Sequence, residues 1–212
     1  MIDVSYWLLF FSAALALNLA PGPDMVYILS RTIAQGQKIG LASSLGVCTG
    51  ALVHVVAAAL GVSAILATSA VAFAVVKYVG AAYLFYLGVQ AWRSKGTQFQ
   101  VAPGKVDQVS VWQAFRQGML VDILNPKVAI FFMAFLPQFV RAEAGSTVLQ
   151  TIGLGLLVIL VAMGVEATFV LVAGRVTHVF RHNRRLSLGL DRLLGSILIG
   201  LGLRLVLTDN QT

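Results

Sequence analysis

Residues 18–24 read Asn-Leu-Ala-Pro-Gly-Pro-Asp and interrupt an otherwise apolar run. Proline has no amide hydrogen, and its ring crowds the carbonyl four residues earlier, so it breaks a helix. Pro21 and Pro23 are therefore expected to free the carbonyls of Leu17 and Leu19. An unpaired carbonyl in hydrocarbon costs several kcal/mol, so such a break persists where protein or a watery cavity satisfies it. The stretch predicts a membrane helix that is broken along its length.

The composition of the chain requires a membrane environment. Of its 212 residues, 58% are hydrophobic and 11% are charged, whereas about a quarter of the residues of a soluble domain are charged. The apolar residues come in runs of about 20, long enough to cross the hydrocarbon layer. Six runs are predicted as transmembrane helices. They cover approximately residues 5–29, 40–63, 70–92, 112–137, 149–174 and 187–207.

The basic residues predict how the chain crosses the membrane. The net charge is +7, and Lys and Arg cluster in the first, third and fifth connections between the apolar runs. Cytoplasmic loops carry this excess, so both termini are predicted to lie outside. The clustering also argues against nucleic acid as a partner. The flank Met1-Ile2-Asp3 lacks the positive charge of a signal peptide, so the first run is expected to be retained. The basic residues concerned are Arg31, Lys38, Arg93, Lys95, Lys105, Arg175, Arg181, Arg184 and Arg185.

The long third connection divides the chain into two halves with three runs each. We predict a first repeat over residues 1–93, a cytoplasmic linker over residues 94–111 and a second repeat over residues 112–212. With three spans per half, the second half crosses the membrane in the opposite sense to the first. Asn125-Pro126-Lys127 breaks the fourth run where residues 18–24 break the first. The predicted fold is all-α, with six transmembrane helices as two inverted three-helix repeats and with helices 1 and 4 broken.

The paired breaks predict a binding site. Helix-breaking residues at corresponding places in two halves are typical of the substrate site of a transporter. The half-helix that begins near Pro23 directs free amide groups at this site and favours a carboxylate. Freed carbonyls and side-chain oxygens favour an ammonium group, and an α-amino acid offers both. The alternative is a pair of proline kinks that only shape packing.

Ionisable residues at membrane depth are the second functional signal. Such charges are expensive and normally face the bundle interior as partners, ion sites or proton relays. We hypothesise that one of the carboxylates of Asp24, Asp122 and Glu166 carries a proton. Asp122 and Asn125 share a helix face just before the second break. The ionisable residues at this depth are Asp24, His54, Lys77, Asp122, Lys127, Glu166 and Asp191.

Several of these residues also have plainer interpretations. Asp24 is placed where the helix dipole favours a carboxylate at a helix start. The side chains of Lys77 and Lys127 are alternatively expected to extend to a membrane interface, as lysines near the end of a span often do. A lone histidine on an apolar helix, such as His54, is more often hydrogen-bonded structure than a proton carrier. Asp191 beside Arg192 predicts an interfacial ion pair.

The chain resembles the LysE/RhtB family of amino-acid exporters, the threonine and homoserine/lactone efflux proteins. The similar stretches are NLAPGPD at 18–24, the glycine-rich region from Gly36 to Gly50, KYVGAAYLFYLGVQAW at 77–92 and Asn125-Pro126-Lys127. The resemblance implies a bacterial inner-membrane exporter of amino acids or close derivatives, such as neutral amino acids, homoserine or lactones. It also implies proton coupling, a homodimer, no enzymatic activity and no cofactor. The positions it implies at the site are Asn18, Pro21, Gly22, Pro23, Asn125, Pro126 and Lys127.

Other classes of function are less consistent with the sequence. An inorganic-ion exporter for soft metals needs thiolate and imidazole ligands, and the chain has one Cys and three His. An intramembrane hydrolase would pair Ser43 or Ser44 with His54. Ser44 and His54 are ten residues apart, about 15 Å along one helix, beyond hydrogen-bond reach. A scaffold without transport would need neither paired breaks nor buried carboxylates. Cys48 is predicted to be a small packing residue, and no metal site is expected.

Overall fold

The structure, a computed structural model, describes residues 4–68, 70–94, 107–182 and 184–207. These ranges are built of helices and contain no strand. Both chain ends, and the part of the predicted linker that carries Lys95 and Lys105, lie outside the described residues. The side chains of Arg175, Arg181 and Arg184 also lie outside them.

Eight α-helices occur in the described residues, and the six predicted runs map onto them in order. The first run forms α1 and α2, and the fourth forms α5 and α6. The other four runs form one helix each. The helices are α1 (Val4–Leu19), α2 (Pro23–Gln35), α3 (Gln37–Thr68), α4 (Ala70–Trp92), α5 (Val111–Ile123), α6 (Pro126–Ile130), α7 (Thr147–His182) and α8 (Arg184–Leu207).

The described helices include apolar segments that can cross a membrane. Gln37–Gly61 of α3 and Thr147–Ala173 of α7 are long and apolar enough to do so alone. The pair α1 and α2 bends by 55°, and the pair formed by α5 and the segment Pro126–Phe139 bends by 50°; counting each pair as one span gives up to four. The predicted breaks in helices 1 and 4 are therefore confirmed. For α4 and α8, of 23 and 24 residues, crossing stays a prediction.

Large apolar side chains cover the outside of the bundle. Leu8 and Leu60 are each 65% exposed, Leu149 is 70% exposed and Leu124 is 76% exposed. A water-soluble monomer rarely exposes so much contiguous apolar surface. A bilayer solvates these side chains, and the chain is an all-α polytopic membrane protein.

Local sequence explains where the half-helices begin. Ser110 and Gln113 form a capping box at the start of α5: the Ser110 hydroxyl accepts from the Gln113 amide at 3.2 Å, and the Gln113 side chain accepts from the Ser110 amide at 2.8 Å. Asn125 caps α6, because its Oδ1 accepts from the Lys127 amide at 3.1 Å. Beyond α6 the chain continues as a π-helical turn, Phe131–Phe135, and a 3₁₀ turn, Leu136–Phe139. These local bonds fix where each half of the second broken helix begins.

Glycines bring α3 against α5. A Cβ at Gly46 would meet the Phe115 carbonyl oxygen, and a Cβ at Gly118 would meet the Ser43 carbonyl oxygen. Helices in a bilayer gain little from burying apolar groups against each other, so close contact through small residues drives their association. The contact holds α3, which also packs against α2 and α7, close to both broken helices.

Candidate functional site

The first break is occupied by an ammonium group from the second break. The Lys127 Nζ donates to the carbonyl oxygens of Leu17 at 3.2 Å and of Ala20 at 3.0 Å. It also contacts both Asp24 carboxylate oxygens, at 3.2 and 3.0 Å. Pro21 frees the Leu17 carbonyl as predicted, whereas the second carbonyl that the ammonium contacts is that of Ala20 and not that of Leu19. The two breaks therefore meet at one buried ion pair.

Gly22 provides the space for this ion pair. A Cβ at Gly22 would lie 2.5 Å from Asp24 Oδ1 and 2.9 Å from Lys127 Nζ. The Gly22 φ of −151° is extended backbone that any residue adopts. The close approach of the two charged side chains, and not backbone conformation, requires glycine here.

The prolines shape the site without lining it. The rings of Pro23 and Pro126 are exposed, and that of Pro21 is half-buried. The residues that follow Pro23 and Pro126, Asp24 and Lys127, are buried and form the ion pair. The prolines thus act through the backbone groups that they leave without helical partners.

The second break has a different partner. His54 Nε2 lies 2.9 Å from the Asp122 carbonyl oxygen, which is four residues before Pro126 and also accepts from the Asn125 amide at 2.8 Å. Because a carbonyl only accepts, Nε2 carries the hydrogen. The same nitrogen lies 4.0 Å from Asp122 Oδ2. His54 therefore gives the Asp122 carbonyl a second hydrogen bond at the break, in agreement with the structural interpretation, and lies next to a buried carboxylate.

Two polar atoms at the second break have no protein partner. Asp122 Oδ2 and Asn125 Nδ2 are buried without a hydrogen bond, among the residues that the structure describes. Buried polar groups are nearly always paired, and the exceptions usually indicate a functional role or a bound water. One is an acceptor and the other a donor, so the break can bind a small polar group.

The charged residues line a narrow cavity between the broken helices, α3 and α7. Its larger compartment is bordered by Asn18, Asp24, Asp122 and Glu166. A smaller compartment extends along α2. Asn18, Asp24 and Glu166 border both compartments and therefore separate them. Each compartment has room for about one water molecule, so the cavity is closed to an amino acid in this conformation.

Glu166 extends the site onto α7. Its Oε2 accepts from the Ser44 hydroxyl at 2.7 Å and lies 3.5 Å from Cys48 Sγ. Cys48 is buried, as expected of a packing residue, but it also borders the cavity and contacts the carboxylate. Sequence reasoning did not place Ser44 and Cys48 at the transport site. Their four-residue spacing on α3 puts them on one helix face, which is the signal that could have indicated a shared partner.

Two predicted ionisable residues lie elsewhere. Lys77 is buried on α4 with its ammonium 5.6 Å from the Tyr78 ring centroid, and it does not border either compartment. Asp191 accepts from the Ser94 hydroxyl at 2.6 Å, while Arg192 stacks over Trp92 at 6.0 Å. The expected ion pair between Asp191 and Arg192 is wrong, since Arg192 contacts Trp92, the last residue of α4, and Asp191 contacts Ser94, just after it.

The serine and histidine residues considered for an intramembrane hydrolase each bond to a different partner. Ser43 donates to the Ile39 carbonyl at 2.9 Å, Ser44 bonds Glu166 and His54 bonds Asp122. In the part of the chain that the structure describes, no three side chains of His, Cys, Asp or Glu converge on a point where a metal ion could be held.

A helical membrane bundle broken at two matched points, with an ion pair and two further carboxylates at the breaks, has the features of a membrane transport protein. The chain belongs to the LysE type translocator family, whose model matches residues 15–209. This assignment confirms the family resemblance of the sequence motifs.

Curated relatives cover nearly the whole chain. An uncharacterized membrane protein of Pseudomonas aeruginosa is 33% identical over 191 residues, which make up 88% of both chains. A second uncharacterized membrane protein, from Vibrio cholerae, is 28% identical over 96% of this chain and 98% of its own. The homoserine/homoserine lactone efflux protein of Salmonella typhimurium is 28% identical over 93% of this chain and 94% of its own. No solved structure matches the chain.

Proposed function

We propose that the chain exports amino acids or close derivatives, of the neutral amino acid, homoserine or lactone type, across the bacterial inner membrane. The family and the efflux protein among its relatives support this direction and substrate class. The observation that carries the proposal is the buried meeting of Lys127 and Asp24 at the two breaks. A zwitterionic substrate needs one group of each sign, and the junction supplies both at a point shielded from lipid.

Export is coupled to protons through carboxylates that border the cavity. Asp24 is paired with the Lys127 ammonium. Asp122 faces no cation closer than His54 at 4.0 Å, and Glu166 is held by hydroxyl and thiol groups, among the described residues. A buried carboxylate without a cation is more stable when it is protonated. Asp122 and Glu166 are thus the groups best suited to carry a proton between the two sides.

The two three-helix halves move against each other in alternating access. The packing supports an inverted repeat: α3 packs on α5, and α7, its counterpart in the second half, packs on α1 and α2. The equivalent helices α3 and α7 contact each other, as do α4 and α8. A two-fold relation between the halves predicts this pattern. Rocking about the two breaks would open the closed cavity to either side.

Release of preloaded amino acids from proteoliposomes tests the function. Vesicles with the protein are expected to release one or more of a panel of labelled neutral amino acids, homoserine and homoserine lactone faster than empty vesicles. An imposed proton gradient should accelerate release, and an uncoupler should remove the acceleration. Equal release from both kinds of vesicle, across the whole panel, would contradict export.

Neutral amide variants test the proton assignment. Asp122→Asn and Glu166→Gln are expected to reduce gradient-driven release, singly or together, while leaving exchange of substrate across the membrane. The matched control is Asp107→Asn, because Asp107 is an exposed residue away from the cavity. If the triple variant that adds Asp24→Asn keeps full gradient-driven release, the proton is carried by other groups.

A further inference from the structure

The oxygen atoms around the Lys127 ammonium come from one half of the molecule. They are the carbonyl oxygens of Leu17 and Ala20 and the carboxylate of Asp24, all at the first break. We refer to these groups as the ammonium cradle. Lys127 follows the second break and reaches the cradle across the interface between the two broken helices. The cradle and the cation that fills it therefore belong to separate structural units.

The cradle is a product of the break and does not depend on Lys127. The helical partner of the Leu17 carbonyl would be the amide of residue 21, but Pro21 has none. The Ala20 carbonyl lies at the non-helical turn, where a 3₁₀ bond from residue 23 is prevented because that residue is proline. Asp24 is held next to both oxygens at the start of α2. These oxygens would still need a donor if the Lys127 side chain left.

We propose that the ammonium cradle is the subsite for the amino group of the transported molecule, and that the Lys127 ammonium occupies it in the absence of substrate. This inference rests on the proposed export of amino compounds and names the groups that recognise them. Leu17 and Asp24 border the larger compartment of the cavity, so a molecule in the cavity reaches the cradle directly. Lys127 acts as a tethered substitute for the substrate.

An exchange of cations keeps the buried charges paired. When a substrate ammonium enters the cradle, it takes over the Asp24 carboxylate and the two carbonyls. The displaced Lys127 ammonium then pairs with the substrate carboxylate, if the substrate has one. For a substrate with a carboxylate, two ion pairs replace one, and neither charge of the protein is left alone in a low-dielectric interior, where an unpaired charge is strongly unfavourable. The exchange also separates the two breaks, since Lys127 links them only while it lies in the cradle.

Chemical rescue of Lys127→Ala tests the cradle by itself. Truncation removes Cγ, Cδ, Cε and Nζ, which n-propylammonium replaces atom for atom. The purified Lys127→Ala protein in detergent is expected to show a thermal midpoint that rises with the logarithm of n-propylammonium concentration, as for any ligand of the native state. Tetramethylammonium, which has the charge but no N–H donor, should produce no such shift.

Two further variants separate the cradle from a general salt effect. In Lys127→Met the vacated space is filled by an apolar chain, so n-propylammonium should not stabilise it. In the double variant Asp24→Asn with Lys127→Ala, the carboxylate is absent and the shift should be lost or much smaller. The cradle assignment would be overturned if n-propylammonium stabilised all three variants equally. It would also be overturned if n-propylammonium did not stabilise Lys127→Ala. If Lys127→Ala does not fold without ligand, recovery of folded protein during purification with and without n-propylammonium gives the same comparison.

Competition links the cradle to the substrate. A labelled compound that the wild-type protein exports should bind Lys127→Ala and be displaced by n-propylammonium, and its N-acetyl derivative, which has no ammonium, should not bind. Rescue by n-propylammonium without competition would overturn the substrate assignment. That outcome is distinct from failure of the proposed function, which shows as the absence of export by the wild-type protein while the rescue assay still gives a signal.

Discussion

At the scale of single residues, the ion pair between Asp24 and Lys127 places two charges in the buried interior. Lys127 is 4% exposed and Asp24 is 7% exposed. Two charges in such surroundings are stable only with good geometry and further hydrogen bonds. The two carbonyls of the first break supply those bonds. The Lys127 ammonium thus supplies donors to the carbonyls freed at the break, and those carbonyls supply acceptors to the buried ammonium.

The interdependence of this pair is testable by a double-mutant cycle. Asp24→Asn and Lys127→Met should each lower the free energy of unfolding by about 3–5 kcal/mol, because each leaves a buried charge unpaired. The double variant should be destabilised by clearly less than the sum. Unfolding midpoints in detergent provide the measurement, and simple additivity of the two changes would contradict direct pairing.

Gly22 gives a second prediction at residue scale. Gly22→Ala should displace the Asp24 and Lys127 side chains and reduce both the thermal midpoint and export, since its Cβ would lie 2.5 Å from Asp24 Oδ1. Overpacking of this kind costs about 1–3 kcal/mol. The control is Gly153→Ala on α7, where an added Cβ meets nothing within 4 Å. Equal behaviour of the two variants would show that space at residue 22 is unimportant.

At the scale of elements, α3 organises the bundle. It packs on α5 through glycines, on α7 and on α2. It also presents Ser44, Cys48 and His54 to the carboxylates and broken backbone of other helices. Position along α3 therefore decides whether those groups reach their partners. The π-helical turn at Phe131–Phe135 also contacts α3, and Phe132 borders the cavity.

Two glycines on α3 should respond differently to substitution. Gly46→Ala brings a Cβ against the Phe115 carbonyl oxygen, so it should separate α3 from α5 and lower stability by about 1–3 kcal/mol. Gly61→Ala on the same helix has its nearest neighbour, Met133 Cε, at 4.0 Å. It should be neutral or more stable by about 0.5–1 kcal/mol, since glycine weakens a helix interior. Thermal midpoints of both variants check this, and a neutral Gly46→Ala would contradict the tight contact.

At the scale of the whole molecule, the sequence predicts orientation through the positive-inside rule. The first connection carries Arg31 and Lys38, whereas the fourth carries Arg141 alone. The homodimer implied by the family resemblance also belongs to this scale and stays a prediction.

Labelling of single cysteines in intact cells tests the orientation. In a Cys48→Ala background, Glu143→Cys in the fourth connection should react with a membrane-impermeant maleimide, and Lys38→Cys in the first should react only after permeabilisation. Both positions are exposed, so accessibility does not distinguish them. Reaction of Lys38→Cys in intact cells would reverse the predicted topology.

The sequence by itself determined the elements and their interruptions. Runs of about 20 apolar residues require a bilayer, and proline removes a helical bond wherever it occurs, so Pro21 and Pro126 indicate the breaks without knowledge of any neighbour. The site residues on the broken helices follow from the same local chemistry. Ionisable residues at membrane depth could be identified, but not their partners.

Only the tertiary structure decided which groups meet. Lys127 fills the first break from 103 residues beyond Asp24, Glu166 takes the hydroxyl of Ser44 from 122 residues away, and Asp191 turns to Ser94 instead of its neighbour Arg192. Lys77 is, like Lys127, a lysine within an apolar run, but it does not border the cavity. These outcomes depend on how closely helices approach and how they are rotated, and close contacts such as those at Gly46 and Gly118 set both quantities. No local rule specifies them, because each involves two segments that are distant in sequence.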